Sequence, residues 1–291
     1  MGNKSLGKDY LSIKDFAEFV GMNVSALRHY DKMGIFLPAK RGVEFENQYR
    51  YYSPMQITMV KMIRVLTEIG VPLKTIKELT KNRTPEILLK LLSKNMDILM
   101  DELHFLTDVY SVICTFHELL IEGISVTETD IYVSEKPEKH IILGDINDFG
   151  GEPSFLEAFT QFCMTHRKPK LNMSYPIGGY FNDMVAFQNE PSRPTRFFSL
   201  DPKGQEKKGA GQYLIGHTRG YYGQTNDLPE KMVAFAKKNG LMFNGPVYNL
   251  YLFDEVSTID PDQYLLQVSA SVIETQRTSS RRPRRHLYRE E

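Results

Sequence analysis

Cysteine is scarce in this chain of 291 residues: Cys114 and Cys163 are the only two, and they form no C-x-x-C pair. That argues against a disulfide framework or a cysteine zinc module, which need clustered thiols. Both cysteines fall in apolar helical patterns and read as core. Histidine is thin as well. Seven scattered residues make no soft-metal site, and the same shortage of ligands argues against an iron–sulfur cluster, so no cofactor is expected. No apolar run approaches the ~18 residues of a membrane span. No charged segment leads into a short apolar one at the start, and the expectation is a soluble cytoplasmic protein without membrane contact. Net charge is absent too, at 36 basic against 36 acidic residues, but this zero is a cancellation. Basic residues outnumber acidic ones 14 to 8 over residues 1–83, while residues 84–123 carry 2 against 7 and residues 124–276 carry 14 against 19. The last fifteen carry 6 against 2. A basic head on an acidic body fits one domain that faces phosphate and another that faces something else.

What is present is most legible near the start. Between Leu11 and Pro38 the punctuation spells two short helices and a tight turn. Ser12 with Asp15 three residues on is a capping box, and Ile13, Phe16, Ala17 and Val20 share one helical face. Gly21 supplies a left-handed end. Asn23 caps a second helix through Met33, closed by Gly34. The pattern has this helix bury Val24, Leu27 and Met33 and turn Ser25, Arg28, His29 and Lys32 outward. A basic second helix after a tight turn is how a helix-turn-helix reads the major groove, so double-stranded DNA is the first expected partner. Ala39–Tyr52 alternates, is rich in aromatic and basic residues, and reads as a β-hairpin or wing. Ser53-Pro54-Met55-Gln56 is a further capping box with proline in the first turn, opening a helix through Ile69 that ends at Gly70. Val71-Pro72-Leu73 restarts a short helix to about Lys81. Residues 1–83 therefore read as a winged-helix domain.

Thr84-Pro85 opens a helix with no further glycine or proline before Gly123, reaching roughly 55 Å at 1.5 Å per residue. Its apolar seam is Leu92, Met96, Leu99, Leu103, Leu106, Tyr110, Ile113, His117 and Leu120, spaced 4, 3, 4, 3 throughout, with His117 the one polar break. That spacing is a coiled-coil signature and calls for self-pairing; a single amphipathic helix against a globular core is the alternative. From Val126 the texture changes. Strands are expected at 130–134, 139–144, 176–182 and 195–200 around a helix at 153–166. A second set follows at 211–219, 246–253 and 263–272 around a helix at 229–239. The whole reads as α+β: a winged helix-turn-helix, a dimerising helix over 84–123, and an effector domain over 124–276. The last has two similar halves whose sheets pair and leave a cleft for a ligand. Residues 277–291 form an arginine-rich tail that reads as disordered.

Leu27-Arg28-His29-Tyr30-Asp31, Gly34-Ile35-Phe36-Leu37-Pro38, Tyr49-Arg50-Tyr51-Tyr52 and Gly70-Val71-Pro72-Leu73 resemble, in order, the head of MerR-type transcription regulators. The back half is similar to the GyrI-like effector domain of their multidrug-sensing branch, through Gly211-Gln212-Tyr213, His217 with Gly220-Tyr221, Asn239-Gly240-Leu241, and Gly245-Pro246-Val247-Tyr248 ahead of Tyr251. The resemblance implies a homodimer with antiparallel long helices and a head in each major groove of a palindromic operator. The operator lies in a promoter with an over-long spacer. Effector binding bends and underwinds that DNA, realigns its elements for RNA polymerase and turns repression into activation. By the same resemblance Arg28 and His29 hold recognition-helix contact positions, with Ser25 and Lys32 beside them, and Arg41, Arg50 and Tyr51 of the wing face phosphate. Tyr30, Tyr49 and Tyr52 pack between wing and helices. His29 departs from the family, which usually has an aromatic hydroxyl there.

The back half is rich in aromatic rings, which offer apolar faces and a quadrupole that attracts cations. Tyr180, Tyr213, Tyr222, Asn249 and Tyr251 are expected to line the cleft. Drug-sensing relatives place a buried glutamate where this chain has Asn249. Their second carboxylate position, near Leu265-Leu266-Gln267, is apolar here. A cation would then rely on ring faces and an acid such as Asp183 or Glu190. The expected effector is a lipophilic cationic aromatic compound, with a neutral or zwitterionic one as the alternative. Two other classes stand beside this reading: a repressor released by its ligand, and a hydrolase-like domain using Asp183, His217, Glu230 and Tyr251. No nucleophile–base spacing supports the second, so no enzyme is expected. A purely architectural DNA protein leaves the ring-rich half unexplained.

Overall fold

The computed structural model describes residues 10–42, 49–126, 131–147, 154–166 and 175–275. The chain divides into two compact units, Met1–His104 and Phe105–Glu291.

In the first unit the caps written in the sequence start and stop the helices. Strand β1 (Leu11–Ser12) runs into helix α1 (Ile13–Val20). Ser12 Oγ accepts from the Asp15 amide at 3.2 Å, while the Asp15 carboxylate takes the Ser12 hydroxyl at 2.7 Å rather than reaching the backbone. Gly21 at φ +66° ends α1. Asn23 opens helix α2 (Val24–Met33) by accepting from the Ala26 amide at 2.7 Å, and Gly34 at φ +69° closes it. The burial of α2 differs from the expected pattern. Met33 is exposed and Val24 only half-buried, and the inward face is Leu27, Tyr30 and Asp31. The last turn looks out because Gly34 turns the chain so that Ile35 and Phe36 fill the core instead. Strands β2 (Lys40–Arg41) and β3 (Arg50–Tyr52) form the root of the wing, with β3 between β1 and β2; the wing residues 43–48 lie outside the described residues.

The Ser53 capping box closes as expected over a single tight turn, with Gln56 Oε1 accepting from the Ser53 amide at 3.0 Å. It leads into helix α3 (Ile57–Glu68), and helix α4 (Leu73–Lys81) follows after Gly70. One core unites these pieces, with the rings of Phe16, Phe36 and Tyr52 stacked at its centre and centroids 4.7 Å (Phe16–Tyr52) and 5.5 Å (Phe36–Tyr52) apart.

Helix α5 (Pro85–Ser125) crosses the division between units and continues through Gly123, which the sequence reading took as its end. Gly123 is instead a contact: a Cβ there would come within 2.6 Å of the Phe253 ring. The helix carries two 3–4 stripes. Val109, Val112, Phe116, Leu119 and Gly123 face the second unit and are buried or half-buried. The predicted seam stays open in the single chain, with Met96, Leu103 and Tyr110 each more than half exposed and only Leu92 and Leu120 half-buried.

The second unit is built on an antiparallel sheet. Its strands are β4 (Tyr132–Lys136), β5 (Lys139–Leu143), β6 (Ile177–Phe181), β7 (Arg196–Ser199), β8 (Glu206–Lys208), β9 (Gly211–Arg219), β10 (Leu241–Phe253) and β11 (Leu265–Glu274), ordered β4-β9-β11-β10-β6-β7-β5-β8. Helices α6 (Phe155–Thr165), α7 (Met184–Asn189) and α8 (Leu228–Asn239) complete it. The expected duplication is visible in the strand order. Exchanging β4, β5, β6, β7 with β8, β9, β10, β11 reverses the list onto itself, with α6 and α8 in matching places and β6 paired to β10 at the middle. The halves trade first strands, since β4 pairs with β9 and β8 with β5. Two residues join β4 to β5, and two join β8 to β9, so both short links connect opposite ends of the list. A two-residue link spans at most about 10 Å, and the sheet must curl back on itself. The sequence reading missed β8 and α7, which are three and six residues long. Residues 130, 153 and the tail at 277–291 lie outside the described residues.

Alternation along the strands separates two cores. One face packs Leu214, Leu266, Val268, Ala270 and Val272 against α7 and α8. The other, inside the curl, carries Ile215, Tyr213, Tyr248, Leu250, Phe198 and Leu265 together with Leu119 of α5. Cys114 and Cys163 are half-buried on α5 and α6 rather than fully in the core.

Candidate functional site

On α2, Ser25, Arg28, His29 and Lys32 sit at i, i+3, i+4 and i+7, so one strip of the helix surface carries all four. Each is exposed. The Ser25 hydroxyl donates to Asn23 Oδ1 at 2.7 Å, tying the start of that strip to the cap. On the flank of α2 beside this strip, the Asp31 carboxylate is 2 % exposed and accepts from Arg41 Nη2 at 2.5 Å and Arg50 Nε at 2.7 Å. One buried acid therefore clamps both wing arginines to α2. The Arg41 and Arg50 side chains keep 40 % and 27 % exposure, so each spends part of its donor set on Asp31 while staying partly open to solvent. Tyr51 is half-buried beside them and Tyr49 is exposed, whereas Tyr30 and Tyr52 are core residues. The sequence reading placed no role on Asp31. The available signal was an acid embedded in an otherwise basic outward pattern.

In the second unit the predicted effector residues do not converge. Tyr213 and Tyr180 lie on the inner face of the curl with Tyr248. Asn249 and Tyr251 lie on the other face. Asn249 Oδ1 accepts from the Gly179 amide at 2.6 Å, and Tyr251 Oη accepts from the Gly223 amide at 3.0 Å. Tyr222 joins Tyr221, Tyr251 and Tyr264 in a separate ring cluster and donates to Glu255. Burial, then Glu255, pushes the Tyr222 hydroxyl far above the usual phenol range. Asp183 caps α7 through the Ala186 amide at 2.8 Å, and both it and Glu190 are exposed. Of the four residues considered for catalysis, Asp183 caps α7, Glu230 is exposed on α8, Tyr251 holds Gly223, and His217 meets Gln267 Nε2 at 3.1 Å. A half-open cavity of about 400 Å³ beside α6, lined by Asp145, Asn147, Glu157, Gln161, Phe162 and His166 among others, includes none of these residues.

The inner face holds charge that the sequence reading did not place. Glu122, near the end of α5, accepts from Lys136 Nζ at 2.8 Å and Gln267 Nε2 at 2.9 Å. Burial pushes its carboxyl up, but those two hydrogen bonds and the nearby lysines win and hold it below the usual value. Glu118, one turn earlier, pairs with Lys139 at 3.6 Å. Lys208 enters from β8. Its ammonium donates to Ser269 Oγ at 2.7 Å and lies 4.9 Å and 4.7 Å from the ring centroids of Tyr213 and Tyr248. Burial, helped by Lys136 and Lys139, lowers it to about 7. Among the described residues no group of three His, Cys, Asp or Glu is placed to hold a metal, and no helix is long and apolar enough to cross a membrane.

Residues 11–83 match the family described as MerR HTH family regulatory protein. Along most of its length the chain is 25 % identical to the Multidrug-efflux transporter 2 regulator of Bacillus subtilis, over 254 residues that cover 86 % of this chain and 91 % of that one. It is 35 % identical to the Multidrug-efflux transporter 1 regulator of the same organism over 71 residues, 24 % of this chain and 25 % of that protein. Among solved structures, the EcmrR chain of an EcmrR–DNA complex aligns over 91 % of this chain and all of its own, at 16 % identity and a TM-score of 0.38.

Proposed function

We propose that this chain, whose head over residues 11–83 belongs to the MerR HTH family, is a transcription regulator that binds promoter DNA and senses a small ligand. The observation that carries it is the head's geometry: a strip of Ser25, Arg28, His29 and Lys32 on α2, with the wing's Arg41 and Arg50 locked behind it by Asp31. A recognition helix supplies base readout, and wing arginines on the flanking backbone supply most of the affinity.

The open seam of α5 supports a homodimer, with Leu92, Met96, Leu99, Leu103, Leu106, Tyr110, Ile113, His117 and Leu120 meeting their copies in an antiparallel pair. In this reading residues 84–123 are the dimerising element and residues 124–276 the sensor. The other stripe of α5 carries Leu119 and Glu122 into the sensor's inner face, so a ligand bound there acts on the same helix that holds the dimer. The dimer bends and underwinds a promoter with an over-long spacer in the cytoplasm, and RNA polymerase is the downstream partner. Small lipophilic molecules are the effector class.

In vitro transcription from the chain's own upstream promoter, with footprinting of the same samples, tests this. An effector that raises transcription while the footprint persists and gains distortion at its centre supports remodelling. An effector that strips the protein from DNA makes it a ligand-released repressor instead.

A further inference from the structure

Three lysines converge where the curled sheet turns back on itself. Lys136 ends β4, Lys139 begins β5 and Lys208 ends β8, and register places Lys139 opposite Lys208 and Lys136 opposite Gly211. Against them stand two carboxylates, both from α5. Glu122 is taken by Lys136 and Gln267, and Glu118 by Lys139. Lys208 is left with a serine hydroxyl and two phenol faces, and no carboxylate within ion-pair distance among the described residues. A buried ammonium with no counter-ion is costly, and ring faces repay only part of that cost. The face around it is not sealed. Tyr132, Tyr180, Leu143 and Lys208 itself keep partial exposure, and at Gly209 of the adjoining link and Gly211 at the start of β9 nothing lies within 4 Å of where a side chain would begin.

We infer that the inner face of the curled sheet is a binding site for a lipophilic aromatic anion, whose carboxylate pairs with Lys208 and whose rings lie against Tyr213, Tyr248 and Tyr180. This rests on the ligand-sensing reading above and names its ligand class, in place of the cation that the resemblance suggested. The charges explain the choice. An incoming cation meets one unpaired ammonium and two more lysines, with both facing carboxylates already bonded. An incoming carboxylate supplies the counter-ion that the fold lacks, in a site where a charge-assisted hydrogen bond is strong.

A pH signature follows. Around Lys208 the ionisable groups are Lys136 on β4, Lys139 on β5, Glu118 and Glu122 on α5, Tyr213 and His217 on β9, Tyr248 on β10 and Tyr180 on β6. Of these, Lys208, lowered to about 7, changes charge near neutrality. An anion that needs Lys208 charged draws a proton onto it above pH 7, so affinity falls with rising pH, by about tenfold per unit once the amine is mostly neutral.

The test is calorimetric titration of the full-length dimer with three ligands sharing one aromatic body: 1-naphthoate, 1-naphthamide and 1-naphthylmethylammonium. The expected result is that the carboxylate binds at least tenfold more tightly than the amide, with proton uptake at pH 8. Lys208→Met abolishes that preference, and Lys208→Arg, which keeps the charge, retains it. The Lys208 pair, rather than pH alone, carries the assignment. The inference is overturned if the ammonium compound binds best, if Lys208→Met keeps the carboxylate preference, or if none of the three binds below millimolar. In that last case, transcription that still responds to another small molecule leaves the regulator reading standing and removes only the anionic class. If the chain fails to bind promoter DNA, the regulator reading falls while the calorimetry still decides what Lys208 binds.

Discussion

Asp31 and Tyr52 sit a few residues from the exposed basic strip of the head, and both are set by burial rather than by sequence motif. Asp31 holds two arginines whose positive charge is of use only if the wing points the right way. Asp31→Ala removes the carboxylate that pairs with both guanidiniums, a loss of about 1–3 kcal/mol. The expected outcome is a head that still folds at room temperature but binds its operator at least tenfold more weakly, read by anisotropy titration beside a thermal melt. Unchanged affinity would mean the wing orients without the clamp. Tyr52 is the reverse case. Its ring is stacked in the core, its hydroxyl is buried with no hydrogen-bond partner among the described residues, and burial together with the Asp31 charge pushes it up to about 12. Tyr52→Phe removes an unsatisfied polar atom and keeps the ring, so it should stabilise the head by about 1 kcal/mol. A lower melting temperature for this variant would show that the hydroxyl has a partner after all.

At the scale of elements, α5 decides most. Its two stripes differ by where their apolar residues end up, since one is spent on the sensor's own core and the other is left wet. Exposed leucines at Leu99, Leu103 and Leu106 over two turns are not a stable surface for a lone chain. Leu103→Glu with Leu106→Glu places two charges in the seam of each helix and should shift sedimentation from dimer to monomer at micromolar concentration. Neither side chain is in the sensor core, so far-UV circular dichroism should show the sheet retained. A variant that stays dimeric would remove this seam as the interface. The glycines are instructive here as well. Gly21 and Gly34 are true stops with left-handed backbone. Gly123, identical in sequence terms, is a helical residue whose missing side chain lets α5 approach Phe253.

At the scale of the whole molecule, stability should rise with pH in two separate windows. Glu122 is held below the usual carboxylate value, so its contribution is present above that value and is lost as pH falls through its own. Lys208 acts in the same direction at higher pH. Its folded value of about 7 lies below the 10.5 of an ordinary lysine, so between those limits the unfolded chain binds more protons and stability rises with pH. Urea unfolding between pH 7 and pH 9.5 should show a rising curve for the wild type and a flatter, higher one for Lys208→Met; equal slopes would mean the ammonium is not buried.

These devices were unequally legible in the amino-acid order. Caps, turn glycines, the 3–4 seam and the strand alternation are local, set by neighbours within a few residues, and so the winged head, the long helix and nearly every strand of the sensor could be read along the chain. The strand exchange between halves, the Asp31 clamp and the site around Lys208 could not. Each brings together residues far apart in sequence, Asp31 with Arg50 or Lys208 with Tyr248 and Ser269. Side chains predicted to share one cleft were parted because a strand sends alternate residues to opposite faces, and only the order and curl of the strands decide which face encloses a ligand.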